Sequence, residues 1–149
     1  MIPAPHTYSE WVAVLDIFKS KSNDADVLAA MRSGTVEWQS GVAERFSKRL
    51  IDCVNHRMNA ASDKFQKEFS RAGGSEAAIV QALLGLRKEM AFLVQAINLP
   101  ALPDKDRQHY VQLVLDQADT MQKSLEESAK KDRSGKMSSI VRNHKVNSI

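Results

Sequence analysis

The sequence predicts an all-α fold: an antiparallel bundle of four main helices and one short helix, with a long third helix and a flexible basic C-terminal tail. Apolar residues recur at spacings of three and four through most of the chain, which is the period of an amphipathic helix. No run alternates apolar with polar residues as a half-buried strand would. Gly73, Gly74, Pro100 and Pro103 divide the pattern into long segments with short connections, which favour antiparallel neighbours.

The composition is that of one folded domain. The chain has 149 residues, of which 43% are hydrophobic and 26% are charged, close to the globular average. We expect residues 1–131 to form a single bundle domain and residues 132–149 to form the tail. The single cysteine, Cys53, rules out an internal disulfide and favours a reducing, cytoplasmic location. Glu10 and Asp16 flank the short apolar run near the N-terminus, so that segment predicts neither a signal peptide nor a membrane span.

The first two helices have recognisable ends. Thr7 and Glu10 have the spacing of a capping box, which predicts that the first helix begins there and continues to the polar segment at 19–24. Asn23 or Asp24 can cap a short second helix, and Gly34 would end it. The apolar positions are Trp11, Val12, Val14, Leu15 and Phe18 in the first helix and Val27, Leu28 and Met31 in the second.

The third helix is predicted to be unusually long. A helical pattern without proline extends from Val36 to Ala72, and a straight helix over these residues would measure about 55 Å. Its apolar residues form one narrow stripe, while the other faces are polar. Trp38 is expected to pack the second helix against the third, and Gly41 to permit close approach of a neighbour. The stripe consists of Val42, Phe46, Leu50, Cys53, Val54, Met58, Ala61, Phe65, Phe69 and Ala72.

The fourth and fifth helices follow two clear breaks. A Ser75 cap precedes EAAIVQALLGLRKEMAFLVQAI, whose apolar residues surround most of the helix, and this pattern favours a central position. Pro100 disfavours helical geometry in the residue before it and ends the segment. The last main helix is predicted from about Asp104 to Lys131, with acids at its start and lysines at its end, as the helix dipole favours.

A basic C-terminal tail is the clearest charge feature. Residues 130–149 contain six Lys or Arg and one acid, so the remaining fifteen Lys or Arg and seventeen acids belong to residues 1–129. Residues 130–149 thus carry +5 and residues 1–129 carry −2 of the net charge of +3. Beyond Gly135 the apolar residues are too sparse to predict an element, so we expect the tail to be mobile or to order on a partner. The candidate polyanion-binding residues are Lys130, Lys131, Arg133, Lys136, Arg142 and Lys145 within residues 130–149 and Arg45, Lys48 and Arg49 near the start of the third helix.

The sequence contains no catalytic motif. The segment SGKMS resembles the end of a phosphate-binding loop, but that loop needs a preceding strand and a glycine where Lys130 stands. Asp52, Cys53 and His56 could contribute to a metal site together with residues of the last helix such as His109. Cys53 lies on the apolar stripe, however, and the other two are better explained as a solvated pair. We therefore predict a non-enzymatic protein without catalytic residues, metal or cofactor.

Two functions remain open. The first is a small accessory protein that acts through protein–protein contacts or self-association, with Met58, Phe65 and Phe69 binding a partner and the tail binding an acidic surface. Burial of these three residues in the protein's own core is the structural alternative. The second is nucleic-acid binding, with DNA or RNA held by the tail and the basic start of the third helix. The tail has no aromatic residue to stack on bases, so a solubilising tail and attachment to anionic membranes are further alternatives.

Overall fold

The structure is a computed structural model. It describes residues 1–38 and 40–149, and of Ser40 it describes only the backbone. The protein is 76% helical and has no strand in these ranges, which confirms the predicted all-α class. The described residues form six helices: α1 (Tyr8–Ser20), α2 (Asp24–Ser33), α3 (Ser40–Ala72), α4 (Glu76–Ile97), α5 (Asp104–Ala129) and α6 (Lys136–Asn143).

The chain divides into two compact units. Unit 1 consists of Met1–Arg57 and Leu93–Val111, and unit 2 consists of Met58–Phe92 and Gln112–Ile149. Helices α3, α4 and α5 therefore each contribute residues to both units. Unit 1 also contains α1 and α2, whereas unit 2 contains α6.

Each unit has its own apolar core, built from residues at helical spacing. In unit 1 the fully buried large side chains come from α1, α2, the first half of α3, the end of α4 and the connection that follows it. They include Trp11, Leu15, Phe18, Met31, Phe46, Leu50, Leu93 and Ile97. In unit 2 the buried residues come from the second half of α3, α4, α5 and the C-terminal segment. They include Phe65, Ile79, Leu83, Met90, Val114, Ala118, Ile140 and Val146.

The capping box predicted at the start of α1 is present. The Thr7 hydroxyl accepts a hydrogen bond from the backbone N–H of Glu10 at 3.1 Å, and the Glu10 carboxylate accepts one from the Thr7 N–H at 3.0 Å. These bonds satisfy two of the N–H groups that a helix start leaves without partners. Helix α2 begins at Asp24 and is followed by Gly34, as predicted, although the Asn23 side chain bonds Asp26 instead of capping the backbone.

Helix α3 begins later than the sequence predicts, and the start at Val36 is wrong. Residues 34–38 are not helical, because their polar groups bond the N-terminal segment and α1. The Thr35 N–H donates to the Pro5 carbonyl at 3.0 Å, and the Thr35 carbonyl accepts from Trp11 Nε1 at 2.8 Å. α3 is consequently 33 residues long. Gln39, which the prediction placed in the helix, lies outside the described residues.

The expected role of Trp38 differs from the observed one. Its ring makes edge contacts with Tyr8 and Phe46, at centroid separations of 6.0 and 5.5 Å, and its Nε1 donates to the His6 carbonyl at 3.2 Å. Trp38 thus packs the start of α1 against α3: the expected contact with the third helix is present, and the contact with the first helix was not predicted. Gly41, which was expected to permit close approach of a neighbour, is exposed, and among the described residues an added Cβ there would meet no atom within 4 Å outside the backbone of its own helix.

The C-terminal segment differs most from the prediction, because it forms helix α6 where the sequence predicted no element. Val141 and Val146 are buried in unit 2, and the buried Gln122 of α5 supplies the polar contacts that this segment needs. Gln122 Oε1 accepts from the Val146 N–H at 3.0 Å, and its Nε2 donates to the Val141 carbonyl at 3.3 Å. A few apolar residues suffice here because α5 provides both a packing surface and hydrogen bonds to the backbone.

Candidate functional site

The start of α6 is held by the one acid of the C-terminal segment. Asp132 accepts hydrogen bonds from the backbone N–H of Met137 at 3.0 Å and from the N–H and hydroxyl of Ser134 at 3.2 and 2.9 Å. The bond from Met137 and those from Ser134 lower the pKa of Asp132 below its ordinary value. The carboxylate therefore already occupies the positive end of this helix.

The six cations of the segment are all exposed and surround this folded helix. Lys136 and Arg142 lie on α6, and Lys145 follows it, while Ile140 and Val141 on the same helix are buried. The other three lie between the last turn of α5 and the start of α6: Lys130, Lys131 and Arg133. These basic residues therefore lie on or next to a folded helix, whereas the sequence predicted them on an irregular tail.

Ion pairing separates these cations into two groups. Lys130 Nζ lies 3.2 Å from Glu127 Oε1, and Lys136 Nζ lies 3.6 Å from Glu76 Oε2. Exposed pairs of this kind contribute only about 0–1 kcal/mol and exchange readily with water. The other four make no ion pair within the part of the chain that the structure describes: Lys131, Arg133, Arg142 and Lys145.

A cleft of about 290 Å³ lies among residues of α5 and α6 and is lined by Glu126, Lys130, Ser138 and Arg142. The backbone N–H of Lys130 still bonds the Glu126 carbonyl, at 3.3 Å, so the helical geometry of α5 extends to it. Arg142 Nε donates to the Ser138 carbonyl at 3.3 Å, and Glu126 Oε1 accepts from Gln122 Nε2 at 3.1 Å. Two basic residues, one acidic residue and one serine therefore line a single opening.

The basic residues predicted on the third helix belong to unit 1, whereas the six of the C-terminal segment belong to unit 2. The guanidinium of Arg45 lies over the Tyr8 ring, 5.0 Å from its centroid, and Arg49 pairs with Asp16 at 3.6 Å. Lys48 lines a separate cavity. The nine predicted polyanion-binding residues are thus divided between the two units.

That cavity, in unit 1, measures about 680 Å³ and was not predicted from the sequence. Its walls come from residues within 36–38, 43–51 and 101–110, and the last of these segments is far from the others in the chain, so no local pattern could identify it. Its lining includes the aromatic residues Trp38, Phe46 and Tyr110 and the charged residues Glu44, Lys48 and Asp106. Charges of both signs line it, and no single class of ligand follows from them.

The apolar partner-binding residues predicted on the third helix differ in their exposure. Met58 and Phe65 are buried, with 8% and 4% of their surface exposed, and Phe65 belongs to the core of unit 2. Phe69 is 37% exposed and its ring lies 5.8 Å from that of Phe65. Because Met58 and Phe65 are buried, a partner could reach only Phe69 among the three residues predicted to bind one.

The residues considered for metal binding do not converge. Across residues 1–38 and 40–149, no group of three His, Cys, Asp or Glu is placed to hold a metal ion. Cys53 is buried in the core, its Sγ lies 3.9 Å from the Leu15 carbonyl, and burial raises the pKa of its thiol. Asp52 and His56 are exposed. Cys53 therefore serves as a small protonated core residue.

None of the described helices is both long and apolar enough to cross a membrane. Comparison of the chain with protein-family models, with curated proteins and with solved structures finds no match.

Proposed function

We propose that the protein is a small non-enzymatic accessory protein whose basic C-terminal end binds an acidic partner protein. One observation supports this most directly: four exposed cations on or next to α6 form no ion pair among the described residues, and the segment's one acid is engaged in capping that helix. Cations held on a folded element lose less conformational entropy on binding than those of a mobile tail.

The charge pattern around α6 favours an acidic protein over a nucleic acid. Glu76 and Glu127 each pair with one of the six cations, and Glu126 lines the cleft beside Arg142. A continuous phosphate backbone would meet these carboxylates together with the cations, whereas a protein can present acidic groups at selected positions. The segment 130–149 also lacks an aromatic side chain on which a base could stack.

Two accompanying proposals concern the setting of the site. A reducing, cytoplasmic location is supported by the use of the single cysteine as an unpaired core residue. An antiparallel bundle is supported by short connections, residues 73–75 between α3 and α4 and residues 98–103 between α4 and α5.

The test is fluorescence anisotropy with a labelled polyglutamate peptide and with labelled DNA and RNA, measured at two salt concentrations. One variant replaces the four unpaired cations with glutamine: Lys131, Arg133, Arg142 and Lys145. The matched control removes the same charge from exposed positions elsewhere: Lys19, Arg32, Lys67 and Lys88. We expect the wild type to bind the acidic peptide, the first variant to lose most of that binding and the control to retain it.

Added salt should weaken binding of the acidic peptide, since the interaction is between exposed charges. Equal loss in both variants would show that only net charge matters and would contradict the proposal. Tighter binding of DNA or RNA than of the peptide would favour the nucleic-acid alternative instead.

A further inference from the structure

We infer that the cleft lined by Glu126, Lys130, Ser138 and Arg142 binds one carboxylate group of the acidic partner. This assignment rests on the proposed function and names the chemistry recognised at one place within the basic end.

The positions of the four residues converge on the cleft. Lys130 follows the last residue of α5 and its N–H still bonds the Glu126 carbonyl, so these two residues lie one helical turn apart. Ser138 and Arg142 are four apart on one face of α6. The volume of about 290 Å³ lies at the lower limit for small-molecule pockets. It suits a single side chain or a chain terminus better than a cofactor.

The donors of the cleft match a carboxylate. The bond from Arg142 Nε to the Ser138 carbonyl fixes the base of the guanidinium, and its two terminal nitrogens have no hydrogen-bond partner among the described residues. A guanidinium with free terminal N–H groups can donate two parallel hydrogen bonds to the two oxygens of a carboxylate. The ammonium of Lys130 has three N–H donors and uses one on Glu127, so it can donate to the same ligand.

The net charge of the residues that line the cleft favours a carboxylate over a phosphate monoester. Lys130 and Arg142 contribute +2 and Glu126 contributes −1, which leaves a net charge of +1. A carboxylate balances that charge. A phosphate monoester carries about −1.5 to −2 at neutral pH and would place the excess against Glu126. The cleft therefore fits an aspartate, a glutamate or a C-terminal carboxylate better than a phosphorylated residue.

The experiment compares three labelled peptides of one sequence, in which the central residue is glutamate, glutamine or phosphoserine, binding to the full chain. Arg142→Gln should weaken binding of the glutamate peptide about tenfold or more, since it removes the bidentate donor. Arg142→Lys keeps the charge but not the planar donor and should weaken it too. The control Lys145→Gln removes the same charge from an exposed residue outside the cleft and should cost no more than about fivefold.

Glu126→Gln provides a test with the opposite sign. Removal of the negative wall should strengthen binding of both charged peptides, and of the phosphoserine peptide more than the glutamate peptide. A circular dichroism melt of each variant verifies that the fold is retained.

The outcomes separate this assignment from the proposed function. If Arg142→Gln and Lys145→Gln weaken binding equally, the cleft is not a site, although the basic end still binds an acidic partner. If the wild type prefers the phosphoserine peptide, the assigned ligand is wrong. If the folded wild type binds neither the charged peptides nor polyglutamate, the proposed function itself fails.

Discussion

Arg57 shows how a single buried charge can join distant elements. Only 3% of its surface is exposed, and its two terminal nitrogens each lie 2.9 Å from an oxygen of Asp24. It also donates to the Phe18 carbonyl at 3.1 Å and lies over the Phe18 ring at 4.9 Å. The sequence presents Asp24 as a helix cap, and nothing in the local pattern indicates that a residue 33 positions away is its partner.

We expect Asp24→Asn to lower the free energy of unfolding by about 1.5–3 kcal/mol, the range for hydrogen bonds to charged groups. The substitution removes the negative partner of a guanidinium that has almost no access to water. Urea denaturation measures the change. Asp26→Asn is the matched control, because Asp26 is an exposed carboxylate in the same first turn of α2. An equal loss in both variants would assign the effect to the helix dipole and not to Arg57.

Gly34 is the glycine whose missing side chain the packing requires. A Cβ at this position would lie 2.6 Å from Trp11 Cζ2 and 2.8 Å from the Pro5 carbonyl oxygen. Gly34→Ala should therefore destabilise the protein by about 1–3 kcal/mol through overpacking. Gly85→Ala in the interior of α4, where an added Cβ would meet no atom within 4 Å outside the backbone of its own helix, should stabilise it by about 0.5–1 kcal/mol. Thermal denaturation of the two alanine variants should shift in opposite directions, and a downward shift in both would contradict this account.

At the level of the elements, the sequence predicts those helices whose ends are set locally. The Thr7 capping box starts α1, and the break at Gly73 and Gly74 separates α3 from α4. The start of α3 could not be predicted, because it depends on a bond from Thr35 to Pro5, 30 residues earlier. Helix α6 was missed for a similar reason, since it relies on Gln122 of α5 and on a cap that lies outside the helix.

The Asp132 cap gives α6 a predicted dependence on pH. Its pKa is lowered in the folded protein, so its contribution is complete above the ordinary carboxyl pKa of about 3.9 and is lost as the pH falls through the lower folded value. Amide hydrogen-exchange protection of Val141 and His144, corrected for intrinsic exchange, should therefore decrease below about pH 3.9. Asp132→Asn should show weaker protection at neutral pH and a smaller loss on acidification.

The control for this measurement is Asp116→Asn, which removes an exposed carboxylate of α5 outside the turn that precedes α6. It should leave the pH dependence of α6 protection unchanged. If the pH dependence of α6 protection is lost in the Asp116 variant and retained in the Asp132 variant, a group other than Asp132 controls this helix.

For the whole molecule, the sequence identifies charges and apolar stripes but not which surfaces remain accessible. A single stripe on α3 is compatible with both a core and an interface, and in the fold it buries Met58 and Phe65 while leaving Phe69 exposed. The basic residues of the C-terminal segment could be identified as a group from the sequence. The cleft that combines Lys130 with Arg142 exists only because α6 folds beside α5.

The folded C-terminal segment determines how its function can be tested. Ending the chain at Lys131 would remove four cations, Arg133, Lys136, Arg142 and Lys145, but also the buried side chains of α6 and Val146. Each fully buried aliphatic side chain contributes about 1.5–3 kcal/mol. We expect the truncated chain to unfold at a lower urea concentration than the full chain, and its weaker binding of acidic peptides would then have two causes.

The matched control keeps the full chain and replaces the same four cations with glutamine. We expect it to unfold close to the wild-type urea midpoint, because all four side chains are exposed. Its loss of peptide binding would then report charge alone. If the truncated chain instead unfolds at the wild-type midpoint, the contacts of Gln122 with Val141 and Val146 do not stabilise the protein in solution. The cations would then act from a mobile tail, and the cleft between Lys130 and Arg142 would not persist.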